Sequence, residues 1–160
     1  MHLTGLKWTK NVKKIYYKNS NESQWAYDKY KKHAECQLFW RNLNNRDKIN
    51  ADAPNKNEYI LLRQNGAITH LVQVMDEKYQ ILKEEDRIEF NIFRWVKIVW
   101  ITQDWENPPK IDKFFESGIH FPQSGKVYEI EKLKAFKQRW TEKGLKLTDF
   151  QDYIQRELKI

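Results

Sequence analysis

The clearest pattern of apolar positions lies in residues 58–76, EYILLRQNGAITHLVQVMD. Two apolar runs rich in β-branched residues, 59–62 and 68–74, flank the dipeptide Asn65-Gly66. An Asn-Gly pair tolerates positive φ at both central positions of a type I′ turn. The pattern therefore predicts a tight β-hairpin.

The two-residue turn also sets the register of the hairpin, and both of its faces are then largely apolar. This arrangement predicts a central strand pair that is covered on both sides or closed into a barrel. The expected pairs are Leu62 with Thr69, Leu61 with His70 and Ile60 with Leu71.

Residues 87–102 form the second apolar block and predict one long strand, or two strands with a break. Alternate positions before and after Arg94 are apolar and would share one face of a strand, but Arg94 would lie on that same face. A β-bulge or bend near residues 93–95 would reconcile the pattern, and bends of this kind help strands to close small barrels.

Apolar residues at helical spacing predict helices over about 22–40, 131–143 and 148–158. A cap is expected before the first and third helices, and a glycine stop after the second. The expected boundary residues are Ser20 or Asn21, Gly144 and Thr148.

Residues 41–57 hold six Asn and two Asp, whose side chains compete with regular structure by bonding to their own backbone. Because Pro54 also stops a helix, this segment is expected to be an irregular loop, either functional or a plain connector. The remaining elements are short strands at 14–18 and 126–130 and a turn of helix at 111–116.

Together these elements predict a single domain over residues 1–160, with a core sheet at about 58–130. The expected fold class is α+β: a small curved, mainly antiparallel β-barrel flanked by helices at both ends.

Composition adds a basic character, with a net charge of +7. Such a balance favours phosphate-rich partners, although many lysine-rich proteins share it. A lone cysteine excludes an internal disulfide, and no window approaches the ~18 apolar residues that a membrane span needs. We therefore expect a cytoplasmic protein with no membrane partner and no cofactor. The lysines expected to contact a nucleic-acid backbone are Lys13, Lys14, Lys31 and Lys32.

Candidate catalytic groups are sparse. A metal site would need His33 and Cys36 to join two histidines from unrelated places, His70 and His120, so a packed cysteine and a surface histidine are the favoured interpretation. The same pair lacks an orienting third group for nucleophilic catalysis. The Asp76-Glu77-Lys78 step is loosely nuclease-like but has no acid-x-Lys partner, which favours a charged turn.

Five of the seven Trp, at positions 25, 40, 95, 100 and 105, are more rings than an ordinary core of this size uses. Flat rings can stack on a base while amide and guanidinium groups read its edge. Two or three of these Trp are expected in the core and the rest in a groove or pocket. The residues predicted to bind the ligand are Trp25, Trp40 and Trp95 as walls, with Arg41, Asn42 and Arg46 for edge or phosphate contacts.

Residues 39–76 resemble the middle of an EVE-type domain of the PUA-like superfamily. The resemblance implies a small curved β-barrel flanked by helices that holds a nucleobase, often a modified one, in an aromatic-walled pocket. Lys56-Asn57-Glu58 departs from the Gly-Asp step of that family. The matching residues are Trp40, Arg41, Asn42, Arg46, Leu61, Leu62, Ile68, Thr69 and Val72.

The function predicted is a non-catalytic module that binds nucleic acid, with a modified base as one candidate ligand. The first alternative is a metal-dependent nuclease or another enzyme acting on nucleic acid. The second alternative is a protein-interaction domain that uses the C-terminal helices.

Overall fold

The computed structural model of the protein describes residues 2–14, 24–83 and 89–160, and these form an α+β fold around one curled sheet. The strands are β1 (Leu6–Asn11), β2 (Glu35–Trp40), β3 (Tyr59–Gln64), β4 (Ala67–Val74), β5 (Gln80–Ile81), β6 (Ile92–Ile101) and β7 (Val127–Glu129). The α-helices are α1 (Asn45–Asp52), α2 (Lys134–Arg139) and α3 (Leu147–Glu157).

The sheet is a half-barrel with the strand order β2-β6-β4-β3-β1-β7, and β5 pairs with β6 beside this path. It is mixed, because β1 runs parallel to β3 while the other pairs are antiparallel. The strands β2 and β7 end the path. None of the helices in the described ranges is long and apolar enough to cross a bilayer.

The hairpin of β3 and β4 is confirmed, with positive φ at both Asn65 (50°) and Gly66 (75°). The predicted register is wrong by one residue beyond the first two pairs after the turn, because a bulge interrupts the pairing between Arg63 and Leu62. Thr69 is the extra residue on β4, so every pair beyond it shifts. The observed pairs are Leu62 with His70, Leu61 with Leu71 and Ile60 with Val72.

The long strand β6 does not break at residues 93–95, so that expectation is wrong. Arg94 is buried on the same face as its apolar neighbours, where it forms an ion pair with Asp76 (2.6 Å). An irregularity in the pairing of β6 with β4 falls instead opposite the step from Leu71 to Val72.

The predicted N-terminal helix over 22–40 is wrong from residue 24 onward, while residues 22–23 and the expected cap at Ser20 or Asn21 lie outside the described residues. The segment 24–34 is made of turns, and positive φ at Tyr27 (58°) and His33 (75°) is incompatible with a continuous helix. Residues 35–40 form β2, which pairs along its whole length with β6. The spacing of apolar side chains in residues 35–40 is compatible with a helix or with a strand. Pairing with β6 makes this segment a strand.

The strand expected at 14–18 lies, apart from Lys14, outside the described residues, and Lys14 has no regular structure. The first strand of the sheet is β1, which the apolar pattern did not reveal. It lies between β3 and β7 and carries Lys10 and Asn11 in buried positions.

The expected irregular loop over 41–57 contains the helix α1, so this prediction is wrong in part. Asn44 caps the helix by accepting from the Arg46 amide, and the Asp47 carboxylate accepts from the Asn44 amide. This reciprocal capping box stabilises a helix that asparagine content disfavours. Asn50 then joins the two end strands: its Oδ1 accepts from Trp40 Nε1 (3.0 Å) on β2 and from the amide of Val127 (2.8 Å) on β7.

The C-terminal elements follow the predictions closely. The helix α2 lies between two 3-10 turns, and Gly144 at φ 77° ends the second turn. The helix α3 is capped by the Asp149 carboxylate, which accepts from the amide of Lys146 (2.7 Å), and not by Thr148. The predicted turn at 111–116 and the strand at 126–130 are both present, the strand as β7.

Two apolar cores cover the two faces of the sheet, as the two apolar faces of the hairpin predict. The first core packs Leu61 and Leu71 against residues of α2, α3 and the segment between β6 and β7. The second fills the inside of the curl with Ile60, Leu62, Trp40 and side chains of β6. Both faces of the central strands are therefore buried.

Candidate nucleic-acid interface

The three tryptophans predicted as pocket walls lie in different surroundings. Trp40 is only 1% exposed and belongs to the inner core. Trp25 is half-buried and packs against Trp105, with ring centroids 5.7 Å apart. Trp95 is 39% exposed on β6 and meets Phe93 edge-on.

A cavity of about 110 Å³, here called the aromatic pocket, lies where β1 and β2 approach the segment that precedes β7. Aromatic and cationic side chains share its lining with two amides. The rings are Tyr27, Phe39 and Phe90, the cations are Lys10, Lys13 and Arg41, and the amides are Asn11 and Gln123. Two of these, Lys13 and Arg41, are predicted site residues.

Lys10 is the buried cation of this pocket, at 2% exposure. Its ammonium donates to the carbonyl of Gly125 and lies 4.7 Å from the centroid of the Trp40 ring. No carboxylate of a described residue pairs with it. Burial, together with the charge of Arg63, lowers the pKa of Lys10 to about 7.

A hydrogen-bond network anchors the segment that carries Tyr27. The side chain of Gln64 accepts from the amide of Ala26 (2.6 Å) and donates both to its carbonyl and to Thr69 Oγ1. Thr69 bonds to Nδ1 of His70, whose Nε2 bonds to the Tyr27 carbonyl (2.9 Å). The hairpin therefore positions one wall of the aromatic pocket.

Burial keeps His70 neutral by lowering the pKa of its imidazole to about 4, although the bond to the Tyr27 carbonyl acts in the opposite direction. The neutral ring donates from Nε2 to the Tyr27 carbonyl and accepts at Nδ1 from Thr69. The Tyr27 hydroxyl accepts from the amide of Phe39 (3.2 Å), and its burial raises its pKa. The Tyr27 ring is thereby fixed to the main chain of Phe39, which carries another ring of the pocket.

The three residues near α1 that were predicted to contact the ligand lie in different surroundings. Arg41 lines the aromatic pocket while it pairs with Glu89 (2.6 Å) in a solvent-exposed ion pair. Such pairs contribute at most about 1 kcal/mol, so an incoming phosphate can compete for Arg41. Asn42 bonds to Asn91 and to the carbonyl of Glu89, which anchors the main chain. Arg46 is exposed on the first turn of α1, outside the aromatic pocket.

Lys31 and Lys32 line a second cavity, of about 290 Å³, beside Tyr30 and Trp105. The rings of Tyr27 and Tyr30 are 6.2 Å apart, so this cavity neighbours the aromatic pocket along one segment of chain. Lys14 is half-buried beside Lys13 in sequence but is not part of the lining.

A third cavity, of about 360 Å³ and here called the Arg63 cavity, adjoins the aromatic pocket. The two share four lining residues. Arg63 is 1% exposed and packs 4.7 Å from the centroid of the Phe121 ring. Its Nε donates to Thr9 (3.0 Å) and its Nη2 to the carbonyl of Pro122 (3.2 Å). The shared residues are Asn11, Val12, Lys13 and Gln123.

The groups considered for catalysis are engaged elsewhere. Asp76 uses one oxygen for Arg94 and the other for the amide of Trp95 (2.8 Å). Burial raises the pKa of the Cys36 thiol to about 12, so it stays protonated. Within residues 2–14, 24–83 and 89–160, no three His, Cys, Asp or Glu side chains converge on a possible metal position.

Sequence reasoning missed most of the residues that line the two adjoining cavities, although it named Lys13 and Arg41. Arg63 directly follows the apolar run of β3, and a cation in that place was an available signal, whereas Lys10 lies between Thr9 and Asn11 and had no such signal. The spacing of Asn44 and Asp47 was likewise a capping-box signal for α1. The aromatic residues missed are Tyr27, Phe39 and Phe90.

Comparisons of the chain with protein-family models, with curated protein sequences and with solved structures found no match.

Proposed function

We propose that the protein is a non-catalytic module that binds single-stranded nucleic acid, with a base entering the aromatic pocket. The PUA-like architecture implied by the sequence resemblance is part of this proposal, and modified bases belong among the ligands to test. The observation that carries the proposal is one small cavity in which three rings, three cations and two amides converge.

Each type of side chain in the aromatic pocket suits one part of a nucleotide. A ring such as Phe90, half-buried at the pocket, offers a face for stacking. The amides of Asn11 and Gln123 carry both donors and acceptors, which the edge of a base requires. Lys13 is exposed and Arg41 is held only by a surface ion pair, so both can turn to a phosphate.

Positive charge beyond the aromatic pocket favours a nucleic-acid strand over an isolated base as the ligand. Lys31 and Lys32 are exposed beside the second cavity, which the Tyr27–Tyr30 contact places next to the aromatic pocket. A strand that enters the pocket could therefore place further phosphates near these lysines. Lys13 and Arg41 would contact the phosphates nearest the base.

Fluorescence anisotropy with short labelled RNA and DNA strands tests the proposal. With four cations on phosphates, a single strand should lose affinity roughly 50-fold between about 50 and about 200 mM salt. Arg41→Gln should reduce the salt slope by about 0.7. Phe90→Leu should weaken binding about tenfold or more at unchanged slope, because it removes a stacking face and no charge.

Lys143→Gln serves as the matched control, since Lys143 is exposed on the turn after α2 and far in sequence from these cavities. Its affinity and salt slope should equal those of the unaltered protein. Absence of binding to every RNA and DNA strand at low salt would refute the proposal. Equal losses in Lys143→Gln and Arg41→Gln would show only unspecific attraction.

A further inference from the structure

The Arg63 guanidinium is buried with little compensation. Its Nη1 donates to no described residue, and no carboxylate of the described chain pairs with the guanidinium. A buried cation of this kind is expensive unless an anion approaches it. Because Arg63 lines a cavity of about 360 Å³, an anion from solution has room to do so.

A second buried cation strengthens this requirement. The Lys10 ammonium lies close enough to Arg63 for the two charges to repel. Burial lowers the pKa of Lys10 to about 7 and that of Arg63 to about 10. The cavities that these two residues line share Asn11 and Lys13. Lys13 is exposed at this junction and adds a third positive charge.

The acids in the lining do not neutralise this end of the cavity. Asp112 and Glu116 line the Arg63 cavity, yet neither forms an ion pair with Arg63. Asp112 is exposed and Glu116 is half-buried, so water screens their charges more than that of Arg63. The uncompensated charge in this cavity is therefore the positive charge of Arg63.

We propose that the Arg63 cavity binds a phosphate group through the Arg63 guanidinium, with Lys13 and the amides of Asn11 and Gln123 beside it. Guanidinium groups bind the oxygens of phosphate through parallel N–H donors, and the ring of Phe121 packs against this one. Lysine and two amides add more donors than the two oxygens of a carboxylate would use. The phosphate comes either from free phosphate compounds or from a nucleic-acid strand.

Inorganic phosphate is the probe, added at constant ionic strength against chloride, with acetate as the carboxylate comparison. Titration calorimetry and thermal unfolding should show binding of phosphate by the unaltered chain, and weaker or no binding of acetate. Arg63→Met keeps the stem that packs on Phe121 and removes the charge. It should lose at least about tenfold in phosphate affinity.

Lys13→Gln provides a test that does not depend on a buried substitution. Lys13 is exposed, so the variant should fold normally and lose about two- to fivefold in phosphate affinity. Lys143→Gln should match the unaltered chain. Phosphate binding that persists unchanged in both Arg63→Met and Lys13→Gln, or acetate binding as tight as phosphate, would overturn the inference.

Competition separates the two sources of phosphate. If phosphate displaces a bound oligonucleotide competitively, the site holds a phosphate of the strand; if both bind together, it holds a free phosphate compound. Either result supports the site. If the chain binds oligonucleotides but not phosphate in any arm, the Arg63 inference fails while the proposed base recognition stands. If the chain binds phosphate but no oligonucleotide, the proposed base recognition fails while the Arg63 inference stands.

Discussion

Two arginines lie buried in the same sheet, and their surroundings differ. Arg94 on β6 donates from Nε to Asp76 Oδ1, from Nη1 to the carbonyls of Ala51 and Pro54, and from Nη2 to the Asp76 carbonyl. Arg63 on β3 makes two hydrogen bonds, neither to a carboxylate. Both are at most 1% exposed.

This difference separates a structural charge from an available one. Arg94 is neutralised within the protein, and its bonds join β6 to the chain around α1 and to the segment after β4. Arg63 faces a cavity and keeps donor capacity unused. Burial alone therefore does not show that a charge is structural, because the number and kind of its partners decide it.

The largest effect is expected from Asp76→Ala, which would leave Arg94 buried without its carboxylate. Loss of one partner of a buried pair costs about 3–5 kcal/mol of unfolding free energy. Urea unfolding measures it, with Glu77→Ala as the control, because Glu77 is exposed next to it in the chain. A loss for Asp76→Ala as small as that for Glu77→Ala would mean that Arg94 is not held by this pair.

A second effect should appear on raising the pH, through Lys10. Its pKa in the folded protein is about 7 instead of the ordinary 10.5, so above neutrality the unfolded chain binds more protons. The free energy of unfolding should therefore rise by about 2 kcal/mol between about pH 7 and about pH 9. Urea unfolding at both pH values checks this.

Lys10→Met is the control for the pH experiment, since it removes the titrating amine and should flatten the rise. The other charged groups near the amine are Arg63, Lys13 and Arg41, all cations. The Tyr27 hydroxyl also lines the pocket, and its raised pKa keeps it protonated in this range. An equal rise in the variant would show that Lys10 is already paired in the folded protein.

The smallest effect is expected from Arg63→Met without added phosphate. The variant loses bonds to Thr9 and Pro122 but also removes an uncompensated buried charge, so its unfolding free energy should change by less than about 1 kcal/mol. Arg94→Met is the matched variant and should be clearly destabilised, because Asp76 and two carbonyls lose their donor. Equal losses in the two variants would remove the distinction between these arginines.

Some of the candidate site could be predicted from the sequence. The basic and aromatic composition pointed to stacking and phosphate contacts, and Lys13 and Arg41 do line the aromatic pocket. Trp40 was expected as a wall of a pocket, yet its ring lies in the inner core beneath the Lys10 ammonium. Tryptophan suits either place, so its type alone could not show which ring faces the cavity.

Elements with local causes were the ones that the sequence determined by itself. Asn65-Gly66 adopts the positive φ values of its turn, and Gly144 ends its helical segment, because both depend on the backbone freedom of one or two residues. Apolar spacing likewise located β4, β6 and α3, since each buries a periodic set of side chains.

Only the tertiary structure decided the features that join distant parts of the chain. Pairing with β6 made residues 35–40 a strand, and an ion pair across 18 positions placed Arg94 in the core. Lys10 became a buried cation because β1 lies between β3 and β7, with its bond partner Gly125 separated by 115 positions. Whether a charge is compensated depends on which residues fold next to it, and local sequence does not contain that information.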